Sequence, residues 1–189
     1  VAPRIFASGT TITVPGGYGD SPISLKVTDW EKDGPTLAAY WRERKPDLQK
    51  VLIDRHGVFA PLDPVISVEN LRKVTRAANE HGLRTTVHAA SEEDYNDALA
   101  GGIDEFAHTV RYAATDGLIR TVAARRMPVS TTLVVFNYIE RIAEDPSFLD
   151  EPLFRAAVDA DIIARQKGPE RQRYVASGMS EEFKATTTK

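Results

Sequence analysis

Short runs of β-branched and apolar residues alternate with helix-length segments through most of this chain, and that alternation restricts its fold more than any other feature. RIFASGTTIT (4–13), LQKVLID (48–54), LRTTVHA (83–89), IDEFAH (103–108) and PVSTTLVVF (128–136) read as strands. Between them, PTLAAYWRERK (35–45) reads as a helix, with Pro35 in its first turn and Pro46 as its stop. Ser67 caps a second helix that runs to about His81, with Leu71, Val74 and Ala78 on one face and Gly82 ending it. Ser91 opens a third, with Asp94 placed for a capping box and Gly101-Gly102 as its end. Thr115 caps a fourth, with Leu118, Ile119, Val122 and Ala123 facing inward. VPGGYGDSP (14–22) and RHGVFAPLDP (55–64) read as loops. Beyond Asn137 the segments YIERIAED and PLFRAAVDADIIARQ are helical, GPE (168–170) is a break, and a polar end follows.

Strands separated by helices of this size pair in parallel through right-handed crossovers. Two α/β architectures satisfy that rule: an open doubly wound sheet, or part of a (β/α)8 barrel of the TIM type. A closed barrel takes about 250 residues. Five strands in 189 residues are too few for closure, so the barrel alternative would make 1–189 one partial (β/α)8 domain, incomplete at about five to six β/α units. The chain starts at Val1 without a methionine and stops at KATTTK, so it is expected to be a fragment or a processed product.

Composition removes several function classes. The net charge is −3, with both signs mixed along the chain, so no basic stripe favours nucleic acid or a membrane surface. No apolar run approaches the roughly 20 residues that span a bilayer, and no signal-peptide pattern is visible. There are no cysteines, which excludes disulfides, thiolate metal ligands and a cysteine nucleophile. Any metal must be held by His, Asp, Glu, water or a modified side chain. The compartment is not fixed by these numbers.

His88 and His108 stand near the C-terminal ends of successive predicted strands, one strand–helix repeat apart. Active sites of parallel α/β folds lie at those strand ends. Adjacent strands are about 4.8 Å apart, so two imidazoles at matching ends can share a divalent cation. The alternative is a pair of unrelated buried histidines. Lys50 lies in the otherwise apolar LQKVLID; a buried lysine has a lowered pKa and can form a carbamate, an oxygen donor for metal. The simpler reading places Lys50 in water just before its strand begins. His81 sits in the last turn of a helix, where it suits the dipole. His56 belongs to a loop after a strand, where it, Arg55 and Asp54 can contact substrate or merely serve a surface loop.

The stretches RIFASGTTITVPGGYG, DLQKVLID, HGLRTTVHAASEEDYNDALAGGIDEFAHT and RRMPVSTTL together resemble the amidohydrolase superfamily, most nearly its prolidase-like and imidazolonepropionase-like members. A strand ending V-H-A, a helix with A-L-A-G-G and a strand ending in a second histidine recur together in that family. The resemblance covers nearly the whole chain, from the third barrel strand to just before the eighth. It implies a metal-dependent hydrolase of amide and other C–N bonds, in which metal-activated water attacks a carbonyl. By it, Lys50, His88 and His108 are metal ligands for one or two divalent ions, usually zinc, with Lys50 carboxylated and bridging. Tyr18, Arg55, His56 and Thr132 line a pocket for a small-molecule or peptide-like, dipeptidase-type substrate. The catalytic base of the family, an aspartate ending the eighth strand, is expected beyond Lys189, and its first-strand H-x-H pair before Val1. The family loop G-G-H-G is replaced by Gly16-Gly17-Tyr18-Gly19.

Two other readings stay open. A chain that keeps the scaffold without the catalysis would be a binding or assembly module. An open sheet could hold a phosphorylated ligand, although no G-x-G-x-x-G or P-loop is present. As a fragment, the chain should hydrolyse nothing alone, and its exposed strand edges should drive homo-oligomerisation or poor solubility.

Overall fold

The computed structural model describes residues 2–56, 64–111, 114–178, 181 and 184. It divides into two compact units, Val1–Thr131 and Thr132–Lys189. The first unit holds five strands in one parallel sheet: β1 (Ile12–Thr13), β2 (Leu25–Lys26), β3 (Leu48–Leu52), β4 (Arg84–His88) and β5 (Glu105–Phe106). Their order is β2-β1-β3-β4-β5. Helices α1 (Trp30–Arg44), α2 (Val68–Glu80), α3 (Glu92–Gly101) and α4 (Asp116–Ala124) follow β2, β3, β4 and β5 respectively. The expected loop 55–64 lies largely outside the described residues, as does the end of the chain after Lys184.

The core forms between the sheet and its helices. Ile12, Val51, Ile53, Val87 and Phe106 meet Leu37, Trp41, Leu71, Val74, Ala78, Ala98 and Leu99. The Trp41 indole donates to the fully buried Gln49 at 2.7 Å, which marks the Gln49–Val51–Ile53 side of β3 as the side under α1. Lys50 and Leu52 alternate to the opposite side. The long register between β3 and β4 aligns Lys50 with Thr86 and Leu52 with His88. Caps fall where sequence puts them: Ser67 accepts from the Asn70 amide, and Ser91 and Asp94 complete a capping box at α3.

Several boundaries differ from expectation. Only Ile12–Thr13 of the 4–13 run joins the sheet. Gly9 adopts φ +61°, a left-handed turn that ends any extended run, and a Cβ there would stand 2.3 Å from the Tyr40 hydroxyl. Ile5 and Phe6 before it are exposed. The strand β2 carries no sequence signal of its own beyond two residues. The first helix starts at Trp30, capped by Asp29, so Pro35 lies inside it and not in the first turn. The 103–108 strand shrinks to Glu105–Phe106. On α4, Leu118 is buried, whereas Ile119 and Ala123 face solvent.

The largest departure concerns 128–136. Val129 makes a single parallel bridge to Phe106, and Leu133–Glu144 is helix α5. Phe136, Ile139, Ile142 and Ala143 recur at helical spacing and are buried, and that period outweighs the strand-like composition of Leu133–Val135. The second unit begins there. A 3-10 turn (Pro146–Asp150) and helices α6 (Pro152–Ala157), α7 (Ala160–Arg165) and α8 (Arg171–Ala176) complete it. Ile142, Phe148 and Leu149 form its centre, with Tyr138, Phe154, Ile163 and Tyr174 around them. The expected break at GPE is a π turn, Gln166–Glu170. The wider turn carries Pro169 through with helical geometry on both sides. Among the described residues, no helix is long and apolar enough to cross a membrane.

Candidate functional site

At the C-terminal ends of β3, β4 and β5, two side chains and a backbone amide converge on Asp54. The His88 ring nitrogen Nε2 lies 3.0 Å from Asp54 Oδ2. The Arg111 guanidinium donates to the same oxygen at 3.1 Å, and the His56 amide donates to Oδ1 at 2.9 Å. Asp54 is wholly buried, and Arg111 nearly so. Burial alone would raise the Asp54 carboxyl. The His88 hydrogen bond, the Arg111 charge and the His56 amide outweigh it and hold the group down at about 2.

His108 comes edge-on to His88, with ring centroids 4.8 Å apart. The β4–β5 register, continued one residue past Val87–Phe106, sets His88 level with Ala107. His108 follows in the bend after β5, which brings its ring to that of His88. The Tyr95 hydroxyl of α3 donates to the His108 carbonyl and helps fix that bend. Burial, then the nearby His88, Lys50 and Arg111, push the His108 imidazole down to about 4. At neutral pH it is uncharged, the form in which imidazole binds metal. Burial also lowers the Lys50 ammonium to about 8, against a partial restoring effect of Glu105.

Tyr18 lies flat against the His88 ring, with centroids 4.3 Å apart and planes 6° from parallel. The loop after β1 brings it there. Gly19 takes φ +69°, and a Cβ on it would strike Leu52 Cδ1 at 2.3 Å, so the loop can close over β3 only with glycine at this point. Thr13 Oγ1 donates to the Tyr18 carbonyl and secures the turn. Burial and the Asp54 charge raise the Tyr18 phenol, with Arg111 opposing.

The sequence candidates therefore separate. Lys50, His88, His108 and Tyr18 gather at one place. Arg55 does not join them: it is taken up by the first turns of α3, 3.2 Å from Glu93, 2.6 Å from Asp94, and in contact with Asp97. Three carboxylates share its one guanidinium. His56 contributes its backbone amide to Asp54 and leaves its residue exposed. Thr132 starts α5 with φ 48° and belongs to the second unit. Sequence reasoning missed Arg111 altogether and gave Asp54 no partner. The one local signal was a charged residue soon after a strand-end histidine.

Among the described residues, no group of three or more His, Asp or Glu is arranged to hold a metal ion. The donor chemistry nevertheless suits one: two imidazoles in contact, a carboxylate hydrogen-bonded to one of them, and a buried lysine of lowered pKa nearby.

No family model matches this chain, and no curated protein matches it. Solved structures do. An amidohydrolase crystal structure aligns at TM-score 0.62 and 21% identity, over 75% of this chain and 39% of its own. Ochratoxinase from A. niger aligns at TM-score 0.63 and 16% identity, over 94% of this chain and 42% of its own. A prolidase complexed with N-methylphosphonate-L-proline aligns at TM-score 0.60 and 18% identity, over 93% and 46%. The chain spans less than half the length of each. With its parallel β/α order and that coverage, the chain has the fold of these hydrolases as an incomplete (β/α)8 barrel.

Proposed function

We propose that this chain carries the metal-binding face of a metal-dependent hydrolase of amide and other C–N bonds. The observation that supports the reading is the contact of the His88 and His108 rings, 4.8 Å apart at the ends of neighbouring parallel strands. His88, His108 and Lys50 would hold one or two divalent ions, zinc being the metal that imidazole sites favour. When bound, such a cation supplies Lewis-acid polarisation of a carbonyl and activates water. The chain's own residues prepare for it. His108 is kept neutral by burial. Lys50, lowered to about 8, exposes a neutral amine fraction that can add carbon dioxide as a carbamate. Tyr18 walls the site where a peptide-like substrate would enter. A prolidase and a Xaa-Pro dipeptidase with bound methionine share this fold, which favours a small acyl-amino-acid or dipeptide substrate.

The test is zinc binding by the chain itself. After chelation and dialysis against Zn²⁺, elemental analysis should find about one ion per chain, and His88→Ala and His108→Ala should each lose it. Retention below about half an equivalent would remove the reading. A chain that binds no zinc yet self-associates through the exposed Ile5, Phe6 and Ile23 would instead be an assembly module.

A further inference from the structure

Asp54 is surrounded by donors. Oδ1 takes the His56 amide at 2.9 Å, while Oδ2 takes Arg111 at 3.1 Å and faces His88 Nε2 at 3.0 Å. A guanidinium donates and never accepts. With Arg111 against the same oxygen, a proton placed on Asp54 would sit beside a buried cation, which is the costly arrangement. The Asp54–His88 hydrogen bond can then run in one sense only, from Nε2–H to the carboxylate. The ring has little freedom to escape it, since Tyr18 lies flat on one face and His108 meets it edge-on. A half-turn about Cβ–Cγ would replace Nε2 by a carbon and forfeit the bond.

We infer that Asp54, anchored by Arg111, is a positioning residue that fixes His88 as its Nε2–H tautomer and so presents the Nδ1 lone pair toward the site. Its value for cation ligation rests on the metal reading above; the tautomer itself does not. A neutral imidazole left to itself interconverts between two tautomers, and only one leaves Nδ1 able to ligate. A carboxylate on the other nitrogen removes the wrong form before a cation arrives and makes the remaining nitrogen more basic. Nothing local in the sequence announces the pair, because Arg111 and Asp54 are 57 residues apart.

The experiment is nitrogen-15 NMR of the histidine rings in the full metal-free chain, with chelator present. His88→Gln identifies the His88 signals. The expected result is one protonated Nε2 and one bare Nδ1. An Nδ1–H ring, a ring protonated on both nitrogens, or the averaged signals of a freely exchanging imidazole, would overturn the inference without any variant of Asp54 having to fold. Asp54→Ala should restore tautomer mixing, whereas Asp54→Asn, whose amide oxygen still accepts, should keep the Nε2–H form. A merely structural Asp54 would shift the melting temperature and leave the tautomer alone. Zinc titration separates the two readings. With the tautomer fixed, Asp54→Ala should weaken binding by about 10- to 100-fold. A fixed tautomer in a chain that takes no zinc would sink the metal reading and spare this one. Zinc binding by a chain with the other tautomer would do the reverse.

Discussion

His108 gives the sharpest pH test at the level of a single residue. Its imidazole ordinarily titrates near 6.5 and is held to about 4 in the folded chain, first by burial and then by His88, Lys50 and Arg111. Between those values the unfolded chain binds the proton and the folded chain does not, so stability must rise with pH across that window. Stated the other way, the His108 contribution is complete above about 6.5 and is lost as pH falls toward 4. Denaturant melts of the metal-free chain from pH 4 to 7.5 should show that slope, and His108→Gln should flatten it. An unchanged slope in the variant would mean the ring is solvated. The two histidines were legible because they repeat with the strand–helix period. Their partners were not. Asp54 and Arg111 meet only after two crossovers have brought β3 and β5 to either side of β4, and no local pattern encodes a contact of that kind. The ion pairs of Arg55 with Glu93, Asp94 and Asp97 were equally hidden, since a loop arginine looks the same in sequence whatever carboxylates surround it.

Elements were read well where a cap or stop residue states the boundary. Ser67 and Ser91 open α2 and α3 as their side chains dictate, and β3 and β4 fall within two residues of the expected runs. They were read badly where composition and period disagree. Leu133–Val135 has strand composition, yet it opens a helix whose buried face starts at Phe136. At α1 the proline does not mark the start: Asp29 caps the helix, and Gly34 beside Pro35 packs against the Trp30 ring. The contact between α2 and α3 offers a test in which two effects oppose. Gly101 ends α3, and a Cβ there would lie 2.4 Å from Leu71 Cδ2 and 2.5 Å from its Cγ. Alanine is the better helix former by about 1 kcal/mol. Overpacking a filled interior costs about 1–3 kcal/mol. Because Leu71 is fully buried, steric cost should win, and Gly101→Ala should destabilise the chain by about 1 kcal/mol in urea melts. A stabilised variant would show that the two helices can part without loss.

Across the whole molecule, the parallel β/α order was readable because alternation of strand and helix leaves few alternatives, whereas β2 was not, since two residues make no pattern. Among the described residues that strand closes one side of the sheet with β1 as its one strand partner, and Ile23 beside it is 81% exposed. Such an edge is a template for another chain. Light scattering on the purified 189 residues should therefore find dimers or larger species, and Ile23→Lys should shift the population toward monomer. A monodisperse monomer at high concentration would contradict this. The same sheet has an unusual inner tie. Gln49, fully enclosed, takes the Trp41 indole proton on its oxygen while its amide nitrogen serves the carbonyls of Thr10 and Lys50. One glutamine thus stitches a helix, the approach to β1 and its own strand together. Anyone redesigning this interior with hydrocarbon alone would strand an indole proton and two carbonyls at a stroke, so Gln49 and Trp41 must be exchanged as a pair or left as they are.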